Sequence, residues 1–125
     1  MAREEGPGIA WLAEVEDHNY PAATSFLNLI YREERVAELV AQLKVAAITQ
    51  FKAKDIFRAS HLSSLGVSNS HVEKDRKKIE RGIPLSPLLL VRDERNGRVL
   101  IADGYHRLCA IYELDEDTRI PCKIV

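Results

Sequence analysis

A short apolar run, Val99-Leu100-Ile101-Ala102, ends in Asp103-Gly104 and passes straight into Tyr105-His106-Arg107-Leu108-Cys109-Ala110. Glycine lets a backbone turn tightly. Beyond it, Tyr105, Leu108, Cys109 and Tyr112 recur at i, i+3, i+4 and i+7, the period of an amphipathic helix reaching about Glu113. A strand that turns directly into a helix rules out an all-helical or an all-strand fold. It commits the chain to a sheet with helices packed on it.

The other elements follow the same logic. Asp17-His18-Asn19-Tyr20-Pro21 reads as a turn into a helix, with Pro21 near its start. Val36, Leu39, Val40 and Leu43 form an apolar stripe that predicts a helix from Glu33 to about Lys44. Ile48 to Lys52 reads as a strand and Lys54 to Ser60 as a short helical turn. The Ser/Gly-rich segment from Leu62 to Asn69 reads as a loop, and residues 1–8 as an irregular lead-in. Ser70-His71-Val72-Glu73 has the spacing of a capping box and predicts a charged helix to about Arg81, stopped by Gly82. Only Val72 and Ile79 mark a buried side there, and Pro84 and Pro87 prevent continuation. Leu88–Arg92 and Arg98–Ala102 flank Asn96-Gly97, a hairpin signal. Arg119–Val125 reads as a last strand, which Pro121 assigns to a sheet edge or a strand start. The expected fold class is α+β: a helical extension over residues 1–47 and one unit over residues 48–125. Trp11 and Tyr20 are the expected anchors between them.

Charge and cysteine content narrow the function. Net charge is −1, so no global basic surface speaks for nucleic acid. No apolar run approaches the length that spans a bilayer, and the N-terminus lacks a secretion-signal layout. A cytoplasmic protein is the expectation, with Cys109 and Cys122 as thiols. The histidines His18, His61, His71 and His106 have no metal-ligand spacing.

Chemistry concentrates at the strand-to-helix turn. A helix start presents unpaired N–H groups and partial positive charge. His106 and Arg107 add donors there, where cations oppose the dipole unless an anion compensates. Gly104, His106 and Arg107 are therefore candidate binders of a phosphate. The alternative is internal: Asp103 caps the helix or pairs with Arg107. Tyr105, on the apolar stripe, is expected to pack.

From about Ile48 to Val125 the order of these parts resembles the ParB/sulfiredoxin superfamily. Asp55-Ile56-Phe57-Arg58 looks like its first strand and turn. His71–Gly82 with Ile83–Val91 looks like its helix, proline turn and strand. Asp103-Gly104-Tyr105-His106-Arg107 looks like its phosphate loop, and Ile120–Val125 like its closing strand. The resemblance implies a small mixed sheet with packed helices and a nucleotide, ATP or CTP, at the loop. It implies phosphate contacts from Arg58 and, on the neighbouring helix, Lys74 or Lys77. It departs where Tyr105 replaces the sulfiredoxin nucleophile, because a phenol cannot do thiolate chemistry near neutral pH. The glutamate of the family's serine kinases also has no counterpart in Arg58-Ala59-Ser60-His61-Leu62.

Two functions compete. One is a phosphotransferase or nucleotide hydrolase with Asp103 holding Mg²⁺ or accepting a proton. The other is a non-catalytic module that binds a nucleotide or a phosphate-containing small molecule, with a protein partner or second copy meeting the N-terminal helices. Sulfiredoxin chemistry is not expected.

Overall fold

Helices and strands follow one another in the order the periodicity predicts. The computed structural model describes residues 8–66 and 69–125, so the lead-in over residues 1–7 and positions 67–68 of the predicted loop lie outside the described residues. The elements are α1 (Asn19–Leu27), α2 (Glu33–Val45), β1 (Thr49–Lys52), α3 (Ala53–Ser60) and α4 (Ser70–Glu80). They continue with β2 (Leu88–Asp93), β3 (Arg98–Asp103), α5 (Tyr105–Leu114) and β4 (Arg119–Ile124). The architecture is α+β, and no helix among the described residues is long and apolar enough to cross a membrane.

The strands form one sheet in the order β1-β4-β2-β3. β1 pairs with β4 and β2 with β3 antiparallel, while β2 and β4 run parallel. Pro121 therefore lies in an interior strand, not at an edge. It is tolerated because the parallel ladder with β2 begins one residue later, at Cys122 opposite Leu88.

Both faces of the sheet are covered at β2 and β3, while Thr49 and Gln50 of β1 stay exposed. One presents Leu88, Leu90, Val99, Ile101, Ile120 and Cys122 to Ile56, Phe57, Val72, Leu108 and Ile111 of α3, α4 and α5. The other presents Leu89, Val91, Leu100 and Ala102 to Tyr20, Ala23, Leu27, Val36, Leu39 and Leu43 of α1 and α2. Burial on both faces is why β2 and β3 read as continuous apolar runs. The N-terminal extension thus supplies one of two cores, and each fully buried leucine in it contributes about 1.5–3 kcal/mol. The apolar stripe of α2 is occupied by the sheet; what α1 leaves outside is Phe26 together with Leu29 and Ile30 just beyond it. Trp11 bridges to Leu85 and packs on the first core, and Tyr20 packs in the second. Lys123 is also buried on this side. Its ammonium donates to the Tyr20 hydroxyl (3.2 Å) and the Lys44 carbonyl (2.9 Å) and lies 3.4 Å from Glu14.

Three local expectations change. Asp55-Ile56-Phe57-Arg58 is not a strand and turn but the middle of α3, because Ile56, Phe57 and Ser60 bury one face of a helix. The capping box is not made: Asn69 caps α4, its side-chain oxygen accepting from His71 N (3.0 Å) and Val72 N (3.3 Å). Glu73 pairs with Arg76 instead (2.8 Å). The β2–β3 connection is a 3₁₀ turn over Glu94–Asn96 with Gly97 in the left-handed region, rather than a two-residue hairpin.

Candidate anion cleft between α4 and α5

β3 ends in Asp103, Gly104 turns the chain at φ +110°, and α5 starts at Tyr105. A Cβ on Gly104 would lie 2.6 Å from Leu88 Cγ and 2.9 Å from Arg107 Nη2. The glycine is required by these two side chains. The Cβ side of Gly104 is filled by the protein itself, while the residue also lines the cleft described below.

Arg107 reaches back one turn and donates from Nη2 to Asp103 Oδ2 at 2.8 Å. Both side chains are mostly buried, 16% and 17% exposed, so the pair is a fixed part of the loop. Arg107 Nε is buried and has no hydrogen-bond partner among the described residues. Tyr105 packs edge-on against Phe57, and its hydroxyl donates to the Ser63 carbonyl. Cys109 and Cys122 are buried and unpaired, and burial pushes the Cys122 thiol up to about 12.

Across from the loop stands α4. His71, Lys74, Asp75 and Lys78 join residues 103–107 around a cleft of about 190 Å³. The His71 and His106 rings lie 4.9 Å apart. Three fixed cations, Lys74, Lys78 and Arg107, face two carboxylates, Asp75 and Asp103, with two imidazoles that gain charge on protonation. Burial, reinforced by His71 and opposed by Asp75, holds His106 below the ordinary histidine value. Burial also raises the Asp75 carboxyl, against the pull of Arg107, Lys78, His106 and Lys74.

The structure thus brings together Asp103, Gly104, His106, Arg107 and Lys74. Arg58 does not join them: its side chain is 82% exposed on α3, 3.6 Å from Asp55, away from the cleft. Asp103 is already engaged: the Arg107 guanidinium donates to its carboxylate, so a metal ion bound there would have to share or displace that bond. Sequence reasoning missed His71, Asp75 and Lys78. Their signal was present: His71, Lys74, Asp75 and Lys78 repeat at i, i+3, i+4 and i+7, a polar stripe on one helix face.

A second groove, of about 450 Å³, shares Asp103 to His106 with the cleft and runs beside β3, between Phe26 and Ile30 on one side and Ser60 and Leu62 on the other. A third cavity of about 420 Å³, walled by Phe51, Ile56, Leu90 and Ile124 and also lined by Asp55, Arg92, Glu94 and Arg98, lies at the opposite end of β3 from the loop. Compared with protein-family models, curated proteins and solved structures, the chain matches none of them.

Proposed function

We propose that the protein binds the phosphate group of a ligand in the cleft between α4 and the start of α5. The observation that carries this is the polar stripe of α4, His71, Lys74, Asp75 and Lys78, set against His106 and Arg107 across one small cleft. Mobile lysines and preset ring and guanidinium donors are the groups that recognise a phosphate dianion. Pockets that enclose a whole drug-sized ligand measure about 300–1,000 Å³. A cleft of about 190 Å³ takes the phosphate group and leaves the remainder of the ligand outside. A nucleotide, ATP or CTP, is the ligand that the ParB/sulfiredoxin resemblance implies.

The non-catalytic reading is preferred because Asp103, the carboxylate expected to act, is engaged by Arg107. One observation favours a second reading, phosphoryl transfer or hydrolysis: Asp75 is a partly buried carboxylate beside His106, with its pKa raised, which suits proton exchange with an acceptor hydroxyl.

Thermal-shift titration with inorganic phosphate, ATP and CTP, with and without Mg²⁺, tests the binding. Stability should rise with ligand concentration by mass action. The double variant Lys74→Ala/Lys78→Ala, changed on the surface of α4, should keep its ligand-free melting temperature and lose the shift. No shift with any of the three would overturn the assignment. Turnover that Asp75→Asn abolishes would establish the second reading.

A further inference from the structure

We propose that the phosphate is carried by a peptide: the protein holds a phosphorylated side chain in the cleft while the flanking residues pair, as an added strand, with the free edge of β3. The proposal rests on the anion reading of the cleft and adds the chemistry of what lies beyond it.

β3 is an outer strand, so one side of its backbone has no partner strand among the described residues. Which peptide groups face outward follows from hydrogen bonds on the inner strands. Arg92 N donates to the Val125 carbonyl (2.8 Å) and Val125 N to the Leu90 carbonyl (3.3 Å), so Leu90 and Arg92 point toward β4. Successive residues of a strand alternate, so Val91 points toward β3, where Leu100 is opposite it. Val99 and Ile101 then direct their N–H and C=O groups away from the sheet. Leu88 to Val91 in the interior strand are 0–1% exposed, whereas Val99 to Ala102 keep 4–8% with their side chains in the cores.

The groove along this edge has the shape an extended chain needs. Phe26 (38% exposed) and Ile30 (41%) rise on the face covered by α1, and Leu62 (51%) on the face covered by α3. Side chains of an added strand alternate between faces, so apolar residues would meet one wall and then the other. Asp103 to His106 line both the groove and the cleft, so the two lie side by side at the end of β3. From Val99 to Asp103 the strand rises about 13 Å. A phosphorylated residue about four positions along the bound segment therefore reaches Lys74, Lys78 and His106. Charge complementarity fixes that end, and the paired donor and acceptor groups of Val99 and Ile101 fix the backbone.

The test uses the full chain and two capped pentapeptides of alternating valine and threonine, one with phosphoserine first and one with phosphoserine last, since an edge admits both strand directions. Binding is measured by calorimetry beside phosphoserine amide, inorganic phosphate and the unphosphorylated peptides. One phosphopeptide is expected to bind at least about tenfold tighter than phosphoserine amide and than its unphosphorylated form. Amide exchange at Val99 and Ile101 should slow in that complex while Leu100 is unchanged. Val99→Pro removes only an outward N–H and should reduce the peptide to the affinity of phosphoserine amide, leaving phosphoserine amide itself unaffected. Ile30→Asp, on the groove wall, is the second variant with the same expected result should the proline disturb β3. Phosphopeptides no tighter than phosphoserine amide, with phosphate still bound, would overturn the strand-pairing proposal and leave the anion cleft standing. No binding of phosphate, phosphoserine amide or phosphopeptide would overturn both.

Discussion

Gly104→Ala should destabilise the protein far more than a turn glycine normally does. Two contributions are separable. A residue with a Cβ in the left-handed region costs about 1–2 kcal/mol, and φ +110° lies beyond the centre of that region. The added methyl would also fall 2.6 Å from Leu88 Cγ and 3.1 Å from Leu88 Cδ1. Leu88 is 0% exposed, between β4 and the helices, and cannot withdraw into solvent. Overpacking of that kind costs about 1–3 kcal/mol. The sum is about 2–5 kcal/mol. Gly82→Ala is the matched control: φ is +71°, and nothing lies within 4 Å of its Cβ position, so only the backbone contribution of about 1–2 kcal/mol remains. Urea unfolding of the two variants and the wild type measures both numbers. Equal losses at Gly104 and Gly82 would refute the packing explanation.

Three further outcomes are expected. Lys123→Ala should lose about 2–3 kcal/mol, through its bonds to Tyr20 and Lys44 and the packing of its stem, and Lys123→Met about half that, both read by chemical denaturation. His106, held below the ordinary histidine value, stays neutral after the unfolded chain has taken up its proton; its contribution to stability is present above about pH 6.5 and lost as pH falls toward its folded value. NMR titration of its ring should show that low midpoint, rising when phosphate is added, and an unmoved midpoint would remove His106 from the cleft. Cys122, pushed up to about 12 and buried, should resist alkylation at pH 8 in the native protein and react once it is unfolded; rapid native labelling would contradict its burial.

Most elements were legible because their apolar residues repeat with one clear period. Val36, Leu39 and Leu43 announced α2, and Tyr105, Leu108, Cys109 and Tyr112 announced α5. Pro121 misled because a proline reads locally as an edge, while its tolerance depends on where a distant strand begins to pair. Ser70 and Glu73 misled because a better cap, Asn69, stood one residue earlier, and Arg76 competed for the glutamate. At the cleft, Asp103, His106 and Arg107 stood out through their neighbours in sequence. Asp75 became a cleft residue only when α4 was placed against α5, and the same placement left Arg58 outside. Whether Asp103 would pair with Arg107 or await a ligand was a question of one side-chain rotamer, which no pattern in the sequence decides.

The position of β4 has a kinetic consequence. The last strand in chain order lies inside the sheet, with Thr49 opposite Cys122 on one side and Leu88 opposite Cys122 on the other. Among the described strands, only the β2–β3 hairpin can form from neighbouring segments. β1 has no partner until α3, α4, β2, β3 and α5 have all been made and β4 arrives to join the two halves. Closing so long a loop precedes the contacts that reward it, which places this chain among the slower-folding small domains. During synthesis β1 and the hairpin emerge with open edges beside apolar faces, and the growing chain depends on α1 and α2, which emerge first, to cover part of that surface.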